Sequence, residues 1–184
     1  NHGLFAKRMF YEDSACVPML LVGTKGDTRV KPGSTDDRLV GLQDCMPTLL
    51  DLCGLEIPES VDGLSMVAGQ QREHLYGEYG EGFETTRMLH NRRYKLIYYA
   101  AGNRFQLFDL DTDPQELTDL IESPEHQNNR EELTALLLQE LYGADLELVT
   151  DGQLIGLSHP PAEWPDRNLS LQRGTHWPVP KQNG

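Results

Sequence analysis

The chain has 184 residues, enough for one domain of ordinary size or for a part-domain with a subdomain. With 38% hydrophobic and 24% charged residues, it has the balance of a globular fold and not of a fibrous or disordered one. A formal net charge of −13 argues against binding to nucleic acid or anionic membranes, and no apolar run reaches the roughly 20 residues that span a bilayer.

The segment Asn1–Pro18 gathers His2, Lys7, Arg8, Tyr11 and Glu12. On so acidic a chain, an anionic substrate has to be held by a local basic site, and His2 and Lys7 are the groups placed to meet it. Lysine offers a point charge with three donors, and histidine changes protonation near neutral pH. The plainer reading of the same residues is a solvated basic, aromatic loop. The segment feeds Met19–Gly23, an apolar run expected to be a buried strand. Thr24–Asp37 is polar, holds Pro32 and Gly33, and reads as a loop. Val40, Leu42, Met46, Leu49, Leu50, Leu52 and Cys53 then recur at close to helical spacing. Pro47 is tolerated only in a first turn, so this helix is expected to start near Gln43 or Asp44, with Gly54 as its C-terminal cap.

Four short strands are expected over His74–Tyr79, Arg87–His90, Tyr94–Tyr99 and Phe105–Leu110. Turns at Asn91–Arg93 and Gly102–Asn103 favour an antiparallel meander. Asp109, Asp111 and Asp113 lack the glycine and closing glutamate of a calcium loop, and read as a strand-end turn. Leu133, Leu136, Leu137, Leu138 and Leu141 predict an amphipathic helix over Asn129–Tyr142 that covers the sheet. From His159 to Gly184 five prolines exclude regular helix and central strand. On the plainer reading the tail wraps over its own domain or a neighbouring subunit, as in a homo-oligomer, and Trp164 and Trp177 would be its anchors. The sharper reading brings Arg173–Trp177, with His176, to a substrate pocket. Cys16, Cys45 and Cys53 are odd in number and form no zinc spacing. They are expected as buried free thiols, which leans towards a cytoplasmic location and leaves a periplasmic one open.

Two blocks carry a family resemblance. Asn1-His2-Gly3-Leu4-Phe5-Ala6-Lys7 and Phe10-Tyr11-Glu12-Asp13-Ser14-Ala15-Cys16-Val17-Pro18 form the first. Asp44-Cys45-Met46-Pro47-Thr48-Leu49-Leu50-Asp51-Leu52-Cys53-Gly54 with Val61-Asp62-Gly63-Leu64-Ser65 form the second. Together with Tyr94–Ile97 and the run from Gln106 to Glu116, they resemble the sulfatase family of the alkaline phosphatase superfamily over roughly Asn1–Leu120. Asp13 stands where that family usually has glycine, and Cys16 where it usually has arginine.

The resemblance implies an α/β fold. Residues 1–70 would form the end of the large catalytic domain of an alkaline-phosphatase-like sandwich, contributing a strand and a helix to its mixed sheet. Residues 71–150 would form a small antiparallel sheet covered by a helix, and residues 151–184 a Pro-rich tail. It implies hydrolysis of a small-molecule or carbohydrate sulfate ester. Lys7 would contact the sulfate group or the leaving-group oxygen, with His2 beside it or behind the contacting group. Glu78 and Tyr79 would bind substrate near the pocket rim; His176 lies beyond the reach of the resemblance and rests on the reading of the tail alone. The family's formylglycine arises in a Cys/Ser-x-Pro-x-Arg motif, and none of the three cysteines lies in one. The nucleophile and the acidic ligands of Ca2+ are therefore expected upstream of Asn1, in the remaining N-terminal part of the same enzyme, and no residue here is assigned as a metal ligand. On this reading the chain is a C-terminal fragment, inactive alone. The alternatives are a phosphonate monoester or phosphodiester hydrolase of the same superfamily, and a non-catalytic packing or oligomerisation fragment.

Overall fold

The computed structural model describes residue 2 and residues 9–158. The regular elements run in the order α1 (Glu12–Ala15), α2 (Cys45–Leu52), β1 (Leu75–Tyr79), β2 (Thr86–His90), β3 (Tyr94–Tyr99), β4 (Arg104–Asp109), α3 (Gln127–Glu140), β5 (Val149–Thr150) and β6 (Gln153–Leu154). They fall into two compact units. One takes the described residues of 1–17, 76–89 and those from 93 onward; the other takes 18–75 and 90–92.

The first unit is built on a four-stranded sheet of order β1-β2-β3-β4. β3 and β4 pair antiparallel, from Tyr94 opposite Asp109 to Tyr99 opposite Arg104. The expected meander is therefore present, with its turns where the polar residues stand. β3 reads Tyr-Lys-Leu-Ile-Tyr-Tyr without polar alternation because both of its faces are covered. Tyr94, Leu96 and Tyr98 pack with Leu89, Leu107 and the α3 residues Leu133 and Leu137. Ile97 lies on the opposite face with Met88, Phe108 and Tyr11, flanked by Met9 and Phe10. Each of these large apolar side chains contributes about 1.5–3 kcal/mol by leaving water. Helix α3 thus covers the sheet as expected, beginning two residues earlier than the leucine spacing indicates. The aspartate run does form a strand-end turn: the amides of Thr112 and Asp113 both donate to the Asp109 carbonyl.

The second unit carries the proline-containing helix. A single 3-10 turn over Leu42–Asp44 leads into α2, which places Pro47 in the first turn as its missing N–H requires. Gly54, at φ +70°, ends it. The Leu55 amide donates to the Leu50 carbonyl and the Gly54 amide to that of Asp51, the paired bonds of a Schellman cap. The polar residues of this motif are stitches. The Asp44 carboxylate accepts from the amides of Gly41 and Leu64, both at 2.8 Å, and pairs with Arg72. Thr48 Oγ1 donates to the Asp44 carbonyl and accepts from the Met66 amide. Ser65 Oγ donates to Asp51 Oδ2 at 2.6 Å. Gly63 is required because a β-carbon there would lie 2.0 Å from the Gln43 carbonyl oxygen.

Two expectations fail in this part of the chain. Met19–Val22 is not a strand, and Leu20 and Val22 are 87% and 79% exposed. A strand buried on both faces needs neighbours to take its amides and carbonyls, and the described residues supply none beside it. The cysteines are free, but Cys16 and Cys53 are exposed and Cys45 is half-buried. In α2 the buried positions are Pro47 and Thr48, whereas Met46 and Leu49, and Leu42 in the lead-in turn, are exposed. The buried side of this helix is thus its polar, motif-bearing side, and Cys53 falls on the other.

Candidate active-site segment

Of the loop expected to meet the substrate, the structure describes His2 and the stretch from Met9 onward. Lys7 lies outside the described residues, as does His176. His2 stacks flat on Tyr11, with ring centroids 4.0 Å apart and planes 10° from parallel. Its Nε2 lies 3.1 Å from the Gln115 carbonyl oxygen. A carbonyl only accepts, so Nε2 carries the proton in that contact.

The platform under His2 is fixed by the first unit's sheet. Tyr11 donates through its hydroxyl to Gln106 Oε1 at 2.8 Å, and Tyr99 donates to the same oxygen. Phe108 meets the Tyr11 ring edge-on at 5.9 Å. Burial pushes the Tyr11 hydroxyl above its ordinary pKa, so it stays a donor at neutral pH. Phe10 lies against β1, where a β-carbon on Gly77 would come 2.9 Å from its ring. The glycine at that position lets the segment lie close on the strand. Met9–Glu12 therefore crosses the face that α3 leaves open, from Gly77 on β1 to Gln106 and Phe108 on β4.

A second group fastens the same segment. Lys95 Nζ donates to the Phe10 carbonyl at 2.9 Å, to Glu116 Oε1 at 2.9 Å and to the Glu12 carboxylate. Glu116 Oε2 in turn accepts from the Glu12 amide at 2.6 Å. Cys16, one turn beyond, is held protonated: partial desolvation and the neighbouring Glu12 carboxylate raise its thiol pKa. It has the electrostatics of a spectator and not of a nucleophile.

Glu78 and Tyr79 sit on β1. The Glu78 carboxylate accepts from the Tyr142 hydroxyl at 3.0 and 3.1 Å, a contact that raises the pKa of that phenol. The Tyr79 carbonyl accepts from Arg87 Nη1 at 3.0 Å, and Arg87 is locked bidentately to Asp145 at 2.5 and 2.7 Å. The edge strand β1 is three strands from β4, where the Tyr11 ring rests, a separation of about 14 Å at ordinary strand spacing. The structure does not bring Glu78 and Tyr79 to His2.

The profile of the family described as N-sulphoglucosamine sulphohydrolase, C-terminal, matches residues 1–142. The chain belongs to this C-terminal sulfatase family. It is 33% identical over 166 residues to an arylsulfatase of Clostridium perfringens, covering 87% of this chain and 34% of that protein. It is 37% identical over 143 residues to a choline-sulfatase of Rhizobium meliloti, covering 73% of this chain and 27% of the relative. The solved structure of a 2-O GAG sulfatase superposes on 58% of this chain and 26% of its own, with a TM-score of 0.53 at 27% identity. The chain therefore spans about a third or less of the length of these relatives.

Within this sulfatase domain, no three His, Cys, Asp or Glu side chains among the described residues converge to hold a metal ion. The described residues offer no seat for Ca2+. Sequence reasoning missed Lys95, Gln106 and Glu116. The available signal was a lysine inside an apolar strand with no polar alternation, which requires a buried partner.

Proposed function

We propose that the chain is the C-terminal part of a sulfatase that hydrolyses a small-molecule or carbohydrate sulfate ester. The match over residues 1–142 carries this reading, because it includes the Asn1–Lys7 motif and the platform that holds His2. Lys7 supplies donors to a sulfate oxygen or to the leaving-group oxygen, and His2 orients or exchanges a proton beside it. Glu78, Tyr79 and His176 contact more distant parts of the substrate. The formylglycine nucleophile and Ca2+ belong to the N-terminal part of the same enzyme. Its covering of this chain is supported by the apolar stripe of Leu42 in the lead-in turn with Met46 and Leu49 on α2, and by the unpaired run Met19–Val22.

The test uses the whole enzyme. Replacing Lys7 by Ala lowers kcat/KM for sulfate esters by about 10²-fold or more, the usual effect of one lost charge-stabilising donor. An unchanged kcat/KM removes Lys7 from the site. Aryl sulfate, phosphonate monoester and phosphodiester substrates are assayed side by side. A preference for either phosphorus ester replaces the sulfatase reading with that of the sister hydrolases.

A further inference from the structure

We infer that Lys95, Glu12 and Glu116 form a buried charge clamp that positions the His2 platform for catalysis, so that Lys95 and Glu116 are positioning residues of the proposed sulfatase site. The inference rests on the sulfatase reading for its reaction, but its geometry lies within the first unit.

Lys95 is 1% exposed, and Glu116 is 2% exposed. The Lys95 ammonium has three donors and finds three acceptors: the Phe10 carbonyl, Glu116 and Glu12. All of its capacity is spent on the segment 10–12 and on the loop that follows β4. Glu116 adopts φ +55°, a conformation unusual for a glutamate, and this backbone accompanies a carboxylate shared between Lys95 and the Glu12 amide. The carbonyl of its neighbour Gln115 accepts from His2 Nε2. One two-residue stretch therefore holds both the His2 ring and the start of α1. Gln106 adds the third fastening through Tyr11.

Stability alone does not call for this arrangement. Replacing a buried ion group by well-packed apolar side chains is often neutral or stabilising. The main core on the α3 side has no part in it. What the charges fix is place: hydrogen bonds have direction, and apolar contacts tolerate sliding. The clamp accounts for three sequence fragments far apart in the chain, Phe10-Tyr11-Glu12, Tyr94-Lys95-Leu96 and Pro114-Gln115-Glu116, as parts of one device.

The experiment compares Lys95→Met, Glu116→Gln and His2→Ala, with the double variants, in the whole enzyme. Thermal melting identifies any variant that fails to fold. Glu12→Gln, which leaves the Lys95–Glu116 pair in place, stands in for such a variant. The clamp variants are expected to lose about 10-fold or more in kcat with little change in KM, the effect of a slightly misplaced group. They are also expected to be non-additive with His2→Ala, which costs far less in the clamp-less enzyme than in the intact one. Amide hydrogen exchange is expected to speed up over residues 10–16 and to stay unchanged in β3 and β4. Unchanged kcat, fully multiplicative losses, a silent His2→Ala or unchanged exchange at 10–16 each overturns the inference. Absence of sulfate-ester turnover by the unmodified enzyme is a different failure: it removes the sulfatase reading, while exchange still reports whether the clamp holds the segment.

Discussion

Single residues in this chain are legible once their partners are known. Asp109 closes β4, and its carboxylate accepts from Arg93 at 2.8 Å. That hydrogen bond, strengthened by the guanidinium charge and opposed by desolvation, holds the Asp109 carboxyl below its ordinary value of 3.8. A carboxyl depressed in the fold contributes stability above its unfolded pKa and loses that contribution as pH falls through the folded value. Asp109→Asn is therefore expected to lower the urea midpoint at pH 7. It also makes the midpoint fall less steeply between pH 4 and pH 2 than in the unmodified protein. Equal slopes would show that the pair adds nothing to acid stability. Gly63 is legible in another way: its approach to the Gln43 carbonyl leaves no room for any side chain.

At the level of elements, α2 and α3 reverse one another. Helix α3 turns its leucines to the sheet, with Leu133 and Leu137 fully buried. Helix α2 instead buries Pro47 and Thr48 beside the buried Asp44 of its lead-in turn, and exposes Met46 and Leu49 together with Leu42 of that turn. The same spacing of apolar residues marks a helix in both cases, but it gives no indication of which molecule covers the stripe. Leu137→Ala is expected to cost about 2–5 kcal/mol in chemical denaturation, from lost burial and the cavity left behind. Leu49→Ala, at a position 61% exposed, is expected to shift stability of the chain on its own by less than about 0.5 kcal/mol. Within the whole enzyme the same substitution is expected to be clearly destabilising. Equal small effects in both settings would leave the α2 stripe without a partner.

The whole molecule is acidic, at −13, yet the segment proposed to meet sulfate carries His2, Lys7 and Arg8. Attraction of an anion is then a local property, and the global field opposes it. The chain also spans about a third or less of its relatives' length and exposes an unpaired run at Met19–Val22. Amides 19–22 are expected to exchange rapidly in the chain by itself. Co-expression with the N-terminal part should protect them, as the run becomes a paired strand and sulfate-ester hydrolysis is restored. Rapid exchange in the assembled enzyme would rule out that pairing.

Sequence by itself determined the elements whose causes are local. The meander follows from short apolar runs between polar turns, the α2 start from Pro47, its end from Gly54, and α3 from the leucine period. The family was legible because motif residues such as Asp44, Thr48, Gly63 and Ser65 are fixed by hydrogen bonds and close contacts that few other side chains satisfy. Only the tertiary structure showed that β3 is covered on both faces, that Glu78 and Tyr79 lie across the sheet from His2, and that Lys95, Glu12 and Glu116 meet. Those facts depend on which strand neighbours which, and on residues 83 and 104 positions apart being brought within a hydrogen bond. Period and propensity describe a residue's immediate neighbours along the chain. A buried lysine's partners are set by the packing of distant segments, and that packing exists only in the folded molecule.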